Sequence, residues 1–256
     1  MSDHVYIPKH KYTLKIDRVA PEHLKMLYVP ALPKALPVKV DLRPKMPPVY
    51  DQGNLGSCTA NALCGAFGYA VPKFRASRLF LYYNERMVEG TVSEDAGAYL
   101  SDGIKCLETY GVCSEADWPY NIGRFTIKPP PKCYKNALLE RVATAGNIRN
   151  TLADMKHSLS LGLPFVVGIE VYESFESDTV AKTGLIPMPM PNEQLLGGHA
   201  VLVCGYDDTK SVFIVRNSWG TSWGDKGYFY IPYAYLINSN YCSDLWNITS
   251  IRKQTK

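Results

Sequence analysis

The chain has 256 residues, of which 46% are hydrophobic and 20% are charged, a composition typical of a soluble globular protein. Its net charge of +4 is mild, and basic and aromatic residues do not interleave as they do in nucleic-acid-binding surfaces, so we expect no nucleic-acid partner. No apolar run comes close in length to the about 18 residues that a membrane-spanning helix needs, so we expect no membrane partner.

Residues 1–37 differ in composition from the rest of the chain. They contain five prolines and a single short stretch, 22–27, that could be helical. The first residues lack the basic region and apolar core of a secretory signal, so we expect an intracellular or virion-packaged protein. Two interpretations of this segment stay open: a passive extension, or a short pro-segment that lies near the active site and plugs it.

Helices are predicted mainly in the first half of the remaining chain. Residues 58–70 are small and apolar with no proline, which indicates a buried helix. Gly53 and Gly56 precede it and suit a tight turn into the helix N-terminus. Three further ranges are predicted as helices: 77–88, 97–109 and 151–161.

Strands are predicted in the second half. Apolar runs bounded by turn residues indicate four of them, over 165–171, 199–206, 212–217 and 227–232. A proline-rich loop is predicted over 123–133. This order predicts an α+β protein with two lobes, a helical one over about 50–135 and a β-sheet or barrel over about 136–256.

Cys58 is the first candidate for chemistry. A cysteine at a helix start meets unpaired backbone N–H groups and the positive end of the helix dipole, which favour the thiolate and lower the thiol pKa. By position alone an inert buried cysteine would be the more common case. The chain has seven cysteines but no Cys-x-x-Cys pair, so we expect no structural zinc.

His199 and Asn217 complete a plausible catalytic set. His199 follows Gly197 and Gly198 at the start of a predicted strand, which leaves room for a substrate beside the imidazole. The other four histidines lie in the N-terminal segment or on a charged helix. Asn217 ends the next strand, where its amide can orient the imidazole, and Trp219 can shield that bond from water.

Three blocks in this order resemble the papain (C1) family of cysteine proteases. They are DQGNLGSC at 51–58, GHAV at 198–201 and NSWGTSWG at 217–224. The sequence VDLR at 40–43 resembles the start of a mature enzyme, and the likeness extends over about 38–235. It implies a papain-like fold with the active-site cleft between the lobes, in a catalytic domain over 38–256. The chain is most similar to the signal-less bacterial and viral branches.

The resemblance also implies roles for individual residues. Cys58 would be the nucleophile, His199 the general acid and base, and Asn217 the group that orients His199. The Gln52 amide and the Cys58 N–H would form the oxyanion hole. The implied activity is that of a cysteine endopeptidase that works through a thioester and needs no metal or organic cofactor.

The chain departs from the family at several positions. A disulfide found in many relatives is implied to be absent, because Leu55 and Asp95 stand where its two cysteines would be, and Thr59 replaces the usual tryptophan. The family's substrate-binding Gly-Gly strand is represented by Gly97 and Ala98. The family pattern adds further substrate-binding residues, here Tyr99, Leu100, Gly198, Ala200 and Trp219. Because the pocket residues Tyr99, Leu100 and Ala200 are uncharged, an apolar side chain is expected in the pocket for the second residue before the cut, although Tyr99 and Leu100 could simply be helix core.

Two other functions stay open at this stage. A binding module that lost its activity would not need the complete set of Cys58, His199, Asn217 and Gln52. An acyl or peptidyl transferase would use the same thioester with another acceptor. We expect peptide or protein substrates, a monomer, and inhibition by residues 1–37 if these form a plug, as in a zymogen.

Overall fold

The computed structural model describes residues 6–16 and 35–253. The predicted helical stretch at 22–27 and the last three residues of the basic tail lie outside this part of the chain. Among the described residues, no helix is long and apolar enough to cross a membrane.

Seven α-helices and seven strands make up the fold of the described residues. The helices are α1 (Cys58–Ala70), α2 (Arg78–Glu89), α3 (Leu100–Thr109), α4 (Pro131–Ala137), α5 (Leu152–Ser160), α6 (Asp178–Thr183) and α7 (Tyr233–Leu236). The strands are β1 (Lys39–Asp41), β2 (Glu140–Asn147), β3 (Phe165–Tyr172), β4 (Leu195–Asp207), β5 (Val212–Arg216), β6 (Tyr228–Pro232) and β7 (Cys242–Lys253).

The four predicted helices that lie within the described residues are present. Two predictions need correction: the start of α3, which lies near the site, and the proline-rich loop. Helix α3 begins at Leu100 rather than at residue 97, because Gly97 takes a left-handed φ of 70° and Tyr99 is extended. Helix α4 lies partly in the predicted loop: Pro131 occupies its first turn, where a missing N–H costs nothing. The four predicted strands correspond to β3, β4, β5 and β6.

The strands form one antiparallel sheet in the order β2-β7-β3-β4-β5-β6, with β1 paired to β4. Strands β1, β2 and β7 were missed by the sequence reading. β2 and β7 pair with each other across about a hundred residues, so neither has a local turn signal that marks it as half of a hairpin.

Strand β4 separates two hydrophobic cores. Ala200 and Leu202 belong to the core that contains the helices α1 and α2, whereas Val201 and Val203 belong to the core on the other face of the sheet. Alternate residues of a strand point to opposite faces. Helix α1 packs directly on β4, since a methyl group on Gly65 would lie 3.2 Å from Leu202 Cδ2. This packing brings the start of α1 beside the middle of β4.

Candidate active site

Cys58 is the first residue of α1 and is completely buried. The backbone N–H groups of Ala200, Thr59 and Cys58 lie close enough to its sulfur to lower the thiol pKa. Because Ala200 follows His199 in β4, this contact places the sulfur next to the histidine. The fold thus brings Cys58, from the first half of the chain, beside the strand that carries His199 in the second half.

His199 is held by Asn217 on one side of its ring. Its Nε2 atom lies 2.8 Å from Asn217 Oδ1, which also accepts from the N–H of Ser218 at 2.8 Å. The indole of Trp219 stacks on the imidazole with the ring centres 4.9 Å apart. The other ring nitrogen, Nδ1, has no hydrogen-bond partner within the described part of the chain. Nδ1 is therefore the atom left for the sulfur.

Burial controls the charge of this pair. It raises the pKa of the Cys58 thiol to about 12, despite the opposing effect of the Ala200 N–H. It lowers the pKa of His199 to about 4, against the effect of Asn217. Both groups are thus neutral near pH 7 in this structure. The helix start alone was expected to lower the thiol pKa; here the loss of hydration outweighs that effect.

Gln52 lies beside the start of α1, as its motif position suggests, and is buried. Its Oε1 accepts from Ser218 Oγ at 2.6 Å, and its Nε2 donates to Leu55 O at 3.0 Å. The side chain is therefore fixed at both ends. One N–H of the amide remains after the bond to Leu55, so Gln52 has a donor to spare.

The N-terminal segment 6–16 lies across this site. Leu14 N donates to Gly198 O and Lys15 N donates to Ala98 O, each at 3.1 Å. Thr13 Oγ1 donates to Gly56 O at 2.9 Å. The segment thus bridges the loop before α1, the residues before α3 and the start of β4.

Glycines allow this close approach. A Cβ atom on Gly97 would lie 1.7 Å from the carbonyl oxygen of Thr13, and one on Gly198 would lie 2.7 Å from that of Leu14. One on Gly168 would lie 2.8 Å from Leu14 Cδ2. Leu14 itself is buried. These glycines clear a channel that fits an extended chain and an apolar side chain.

Two aromatic residues of the segment cover the catalytic ring system. The imidazole of His10 stacks on Trp219, with centres 3.8 Å apart and planes 6° from parallel. The Tyr12 ring meets His199 edge-on at 6.1 Å. This cover explains why His199 is inaccessible to solvent.

Residues 36–243 match the model of the papain family of cysteine proteases. The chain belongs to this family. It is 44% identical over 215 residues, 78% of this chain and 69% of the relative, to an uncharacterised peptidase C1-like protein of Acanthamoeba polyphaga mimivirus. Cysteine proteinase 3 of Entamoeba histolytica is 30% identical over 224 residues, 81% of this chain and 69% of that protein.

Solved structures agree with this membership. Xylellain, a cysteine protease from Xylella fastidiosa, shares 38% sequence identity, with a TM-score of 0.87 over 98% of this chain and 100% of that chain. The procathepsin B S9 of Trypanosoma congolense shares 20% identity, with a TM-score of 0.75 over 95% of this chain and 87% of that chain. The second likeness supports the papain-like fold only. Both the fold and the cysteine-protease family predicted from the motifs are thereby confirmed.

The predicted substrate-binding residues of this papain-family protein lie around the segment. Ala98 and Gly198 bond to its backbone, and Tyr99 forms a parallel bridge with Lys15. Leu100 and Ala200 are buried in the core that also contains Leu14. Trp219 lies at the other end, under His10.

Asp95 lies at a position where many family members were expected to have a disulfide cysteine, and it holds the structure there through hydrogen bonds. Its carboxylate accepts from Gly56 N at 3.0 Å, and from Tyr82 OH at 2.6 Å. It therefore ties the loop that follows Leu55 to the loop before α3 without a covalent bond. All seven cysteines are free and buried.

Sequence reasoning missed the residues that hold the segment. Glu176, His10 and Tyr12 belong to no motif, and Glu176 follows β3 in the unremarkable stretch YESFES. A paired donor and acceptor far apart in sequence leave no local signal.

Among the described residues, no group of three or more His, Cys, Asp or Glu side chains could hold a metal ion.

Proposed function

We propose that the chain is a cysteine endopeptidase that cleaves peptide bonds through a thioester on Cys58, and that residues 1–37 inhibit it as long as residues 6–16 occupy the cleft. The observation that supports the chemistry best is the contact of the Cys58 sulfur with the N–H of Ala200, beside a histidine whose Nε2 is held by Asn217.

The first step is attack of the Cys58 sulfur on the scissile carbonyl. Nδ1 of His199 takes the thiol proton and then gives it to the leaving amine, so that the C–N bond breaks and a thioester remains. Asn217 keeps the proton of the ring on Nε2 and leaves Nδ1 for this transfer. Water, deprotonated by Nδ1, then hydrolyses the thioester and restores the thiol.

The oxyanion hole would consist of the N–H of Cys58 and the spare N–H of Gln52. Both donors are positioned before the reaction: Cys58 by the start of α1, and Gln52 by Ser218 and Leu55. Loss of one such donor typically costs about 3 kcal/mol of transition-state stabilisation.

The inhibitory role rests on the hydrogen bonds of Leu14 and Lys15 to the cleft backbone. An extended substrate would add to Gly97 and Ala98 in the same place, as in strand addition to a sheet edge. Segment and substrate therefore compete for one set of backbone groups. Departure of the segment also lets water return, which lowers the pKa of Cys58 and raises that of His199.

A thiol-directed epoxide probe tests the chemistry on the full chain carrying Leu14→Asp, which displaces the segment from the cleft. We expect labelling at Cys58 that is lost in His199→Ala and kept in Cys64→Ala, a second buried cysteine of α1. Cys58→Ala should abolish cleavage of a fluorogenic peptide. Labelling independent of His199 would contradict the proposal. Product analysis with an added amine separates hydrolysis from transfer to another acceptor.

A further inference from the structure

Glu176 is a buried carboxylate at the Trp219 end of the cleft. It ends the turn after β3 and is 3% exposed. Its carboxylate accepts from Lys9 N at 2.7 Å, His10 N at 3.0 Å, His10 Nδ1 at 3.1 Å and Tyr12 OH at 2.6 Å. Within the described residues, the hydrogen bonds to this carboxylate come from the segment and from no part of the enzyme body.

Asp178, which pairs with Lys9, is exposed, and the two largely buried acids that also meet the segment have structural partners as well. Asp95 pairs with Lys11 but also holds Gly56 and Tyr82. Glu89 pairs with Lys15 and also accepts from the N–H of Tyr99 at 3.0 Å. When the segment leaves, these two acids keep their hydrogen bonds to the rest of the protein. The Glu176 carboxylate keeps none among the described residues.

The surroundings of Glu176 favour a cation. Burial alone would raise its pKa, but the hydrogen bonds from His10, Tyr12 and Lys9 outweigh this and lower the pKa to about 2. The ammonium group of Lys9 already lies here, 3.1 Å from Glu176 O and 3.2 Å from Asp178 Oδ1. A buried carboxylate that loses all its donors must be paired again or rehydrated.

We propose that Glu176 selects a lysine or arginine side chain on the leaving-group side of the scissile bond. This rests on the proposed function, in which the upstream half of the substrate pairs with Ala98 at the other end of the cleft. Glu176 lies beyond His199 and Trp219 from that end, where the residues after the cut must pass. A basic side chain there replaces the donors that the segment supplied.

The test uses the full chain carrying Leu14→Asp, which displaces the segment by placing a carboxylate in an apolar channel. Two peptides with one shared upstream sequence carry either lysine or glutamine in the first two positions after the cut. We expect kcat/KM to be at least about tenfold higher for the lysine peptide. Adding Glu176→Gln should lower kcat/KM for this peptide by about tenfold and change it little for the glutamine peptide.

The control is Glu94→Gln, which removes the same charge from an exposed side chain. It should leave the preference intact. Leu14→Ala replaces Leu14→Asp if the latter does not fold. An equal rate on both peptides, or a preference that survives Glu176→Gln, overturns the assignment to Glu176 while leaving the protease proposal standing. A displaced-segment enzyme that cleaves neither peptide and does not label at Cys58 overturns both.

Discussion

The two ends of the segment are held by different kinds of interaction. Residues 13–15 bind mostly through their backbone to Gly198 and Ala98, in a channel that glycines keep open. Residues 9, 10 and 12 bind mainly to one carboxylate, that of Glu176, through two backbone N–H groups and the side chains of His10 and Tyr12. Any extended peptide could form the backbone hydrogen bonds of the first end. The second depends on the chemistry of particular residues, so the two ends should respond differently to mutation and to pH.

The largest effect is expected from Leu14→Asp in the backbone-bound end. Leu14 is buried, and an unpaired carboxylate in its place would cost several kcal/mol in the docked state. If the segment opens and closes faster than Cys58 reacts, the alkylation rate follows the opening equilibrium. Iodoacetamide should then modify Cys58 at least about a hundredfold faster than in the unchanged chain. The pH at which the alkylation rate rises should also be lower.

The matched control for this change is Ile7→Asp, at a residue that is 82% exposed in the same segment. It should leave the rate within about twofold, as surface substitutions usually do. Equal rates in the two variants would mean that Leu14 does not hold the segment.

Gly97→Ala should give the next largest effect. Its new methyl group would meet the carbonyl oxygen of Thr13 at 1.7 Å, so the segment must move. Gly90→Ala is the control, because its φ of 73° is close to the 70° of Gly97 and nothing lies within 4 Å of its new methyl group. Both variants carry about 1 kcal/mol of left-handed strain, and we expect Cys58 to react about tenfold faster or more in Gly97→Ala alone.

Acid should release the side-chain-bound end first. The pKa of Glu176 is lowered from 4.5 to about 2 in the docked state, so its contribution to docking is complete above 4.5 and is lost as the pH falls toward 2. Trp219 fluorescence, which His10 perturbs by stacking, should change as the pH falls from about 4.5 toward about 2.

Two variants test the origin of that change. Glu176→Gln should flatten it, and Trp219→Phe should remove the signal itself. A transition of the same size in Glu176→Gln would assign the acid response to another group.

Lys11→Ala should have the smallest effect. The Lys11 ammonium bonds to Asp95 at 2.7 Å, but its side chain is 51% exposed. Exposed ion pairs contribute about 0 to 1 kcal/mol, so Cys58 alkylation should rise less than about fivefold at low salt and less still at high salt. A rise as large as that of Leu14→Asp would erase the distinction between the two ends.

The sequence predicted the helices and the central strands well because their signals are local. Helix α1 was predicted over its full range from small apolar residues, and β4 from an apolar run after two glycines. The start of α3 was misplaced because Gly97 serves the cleft rather than the helix. β2 and β7 were missed because they pair with each other across the chain.

The sequence alone determined the family and the order of Gln52, Cys58, His199 and Asn217, because a catalytic motif requires fixed residue types at fixed positions. Tertiary structure alone decided which residues cover the site. Tyr12 and Glu176 are 164 positions apart, and no local pattern links an acceptor to a donor that far away. The charge of Cys58 also depended on the fold, since the helix start favours a thiolate but complete burial removes the water that a thiolate needs.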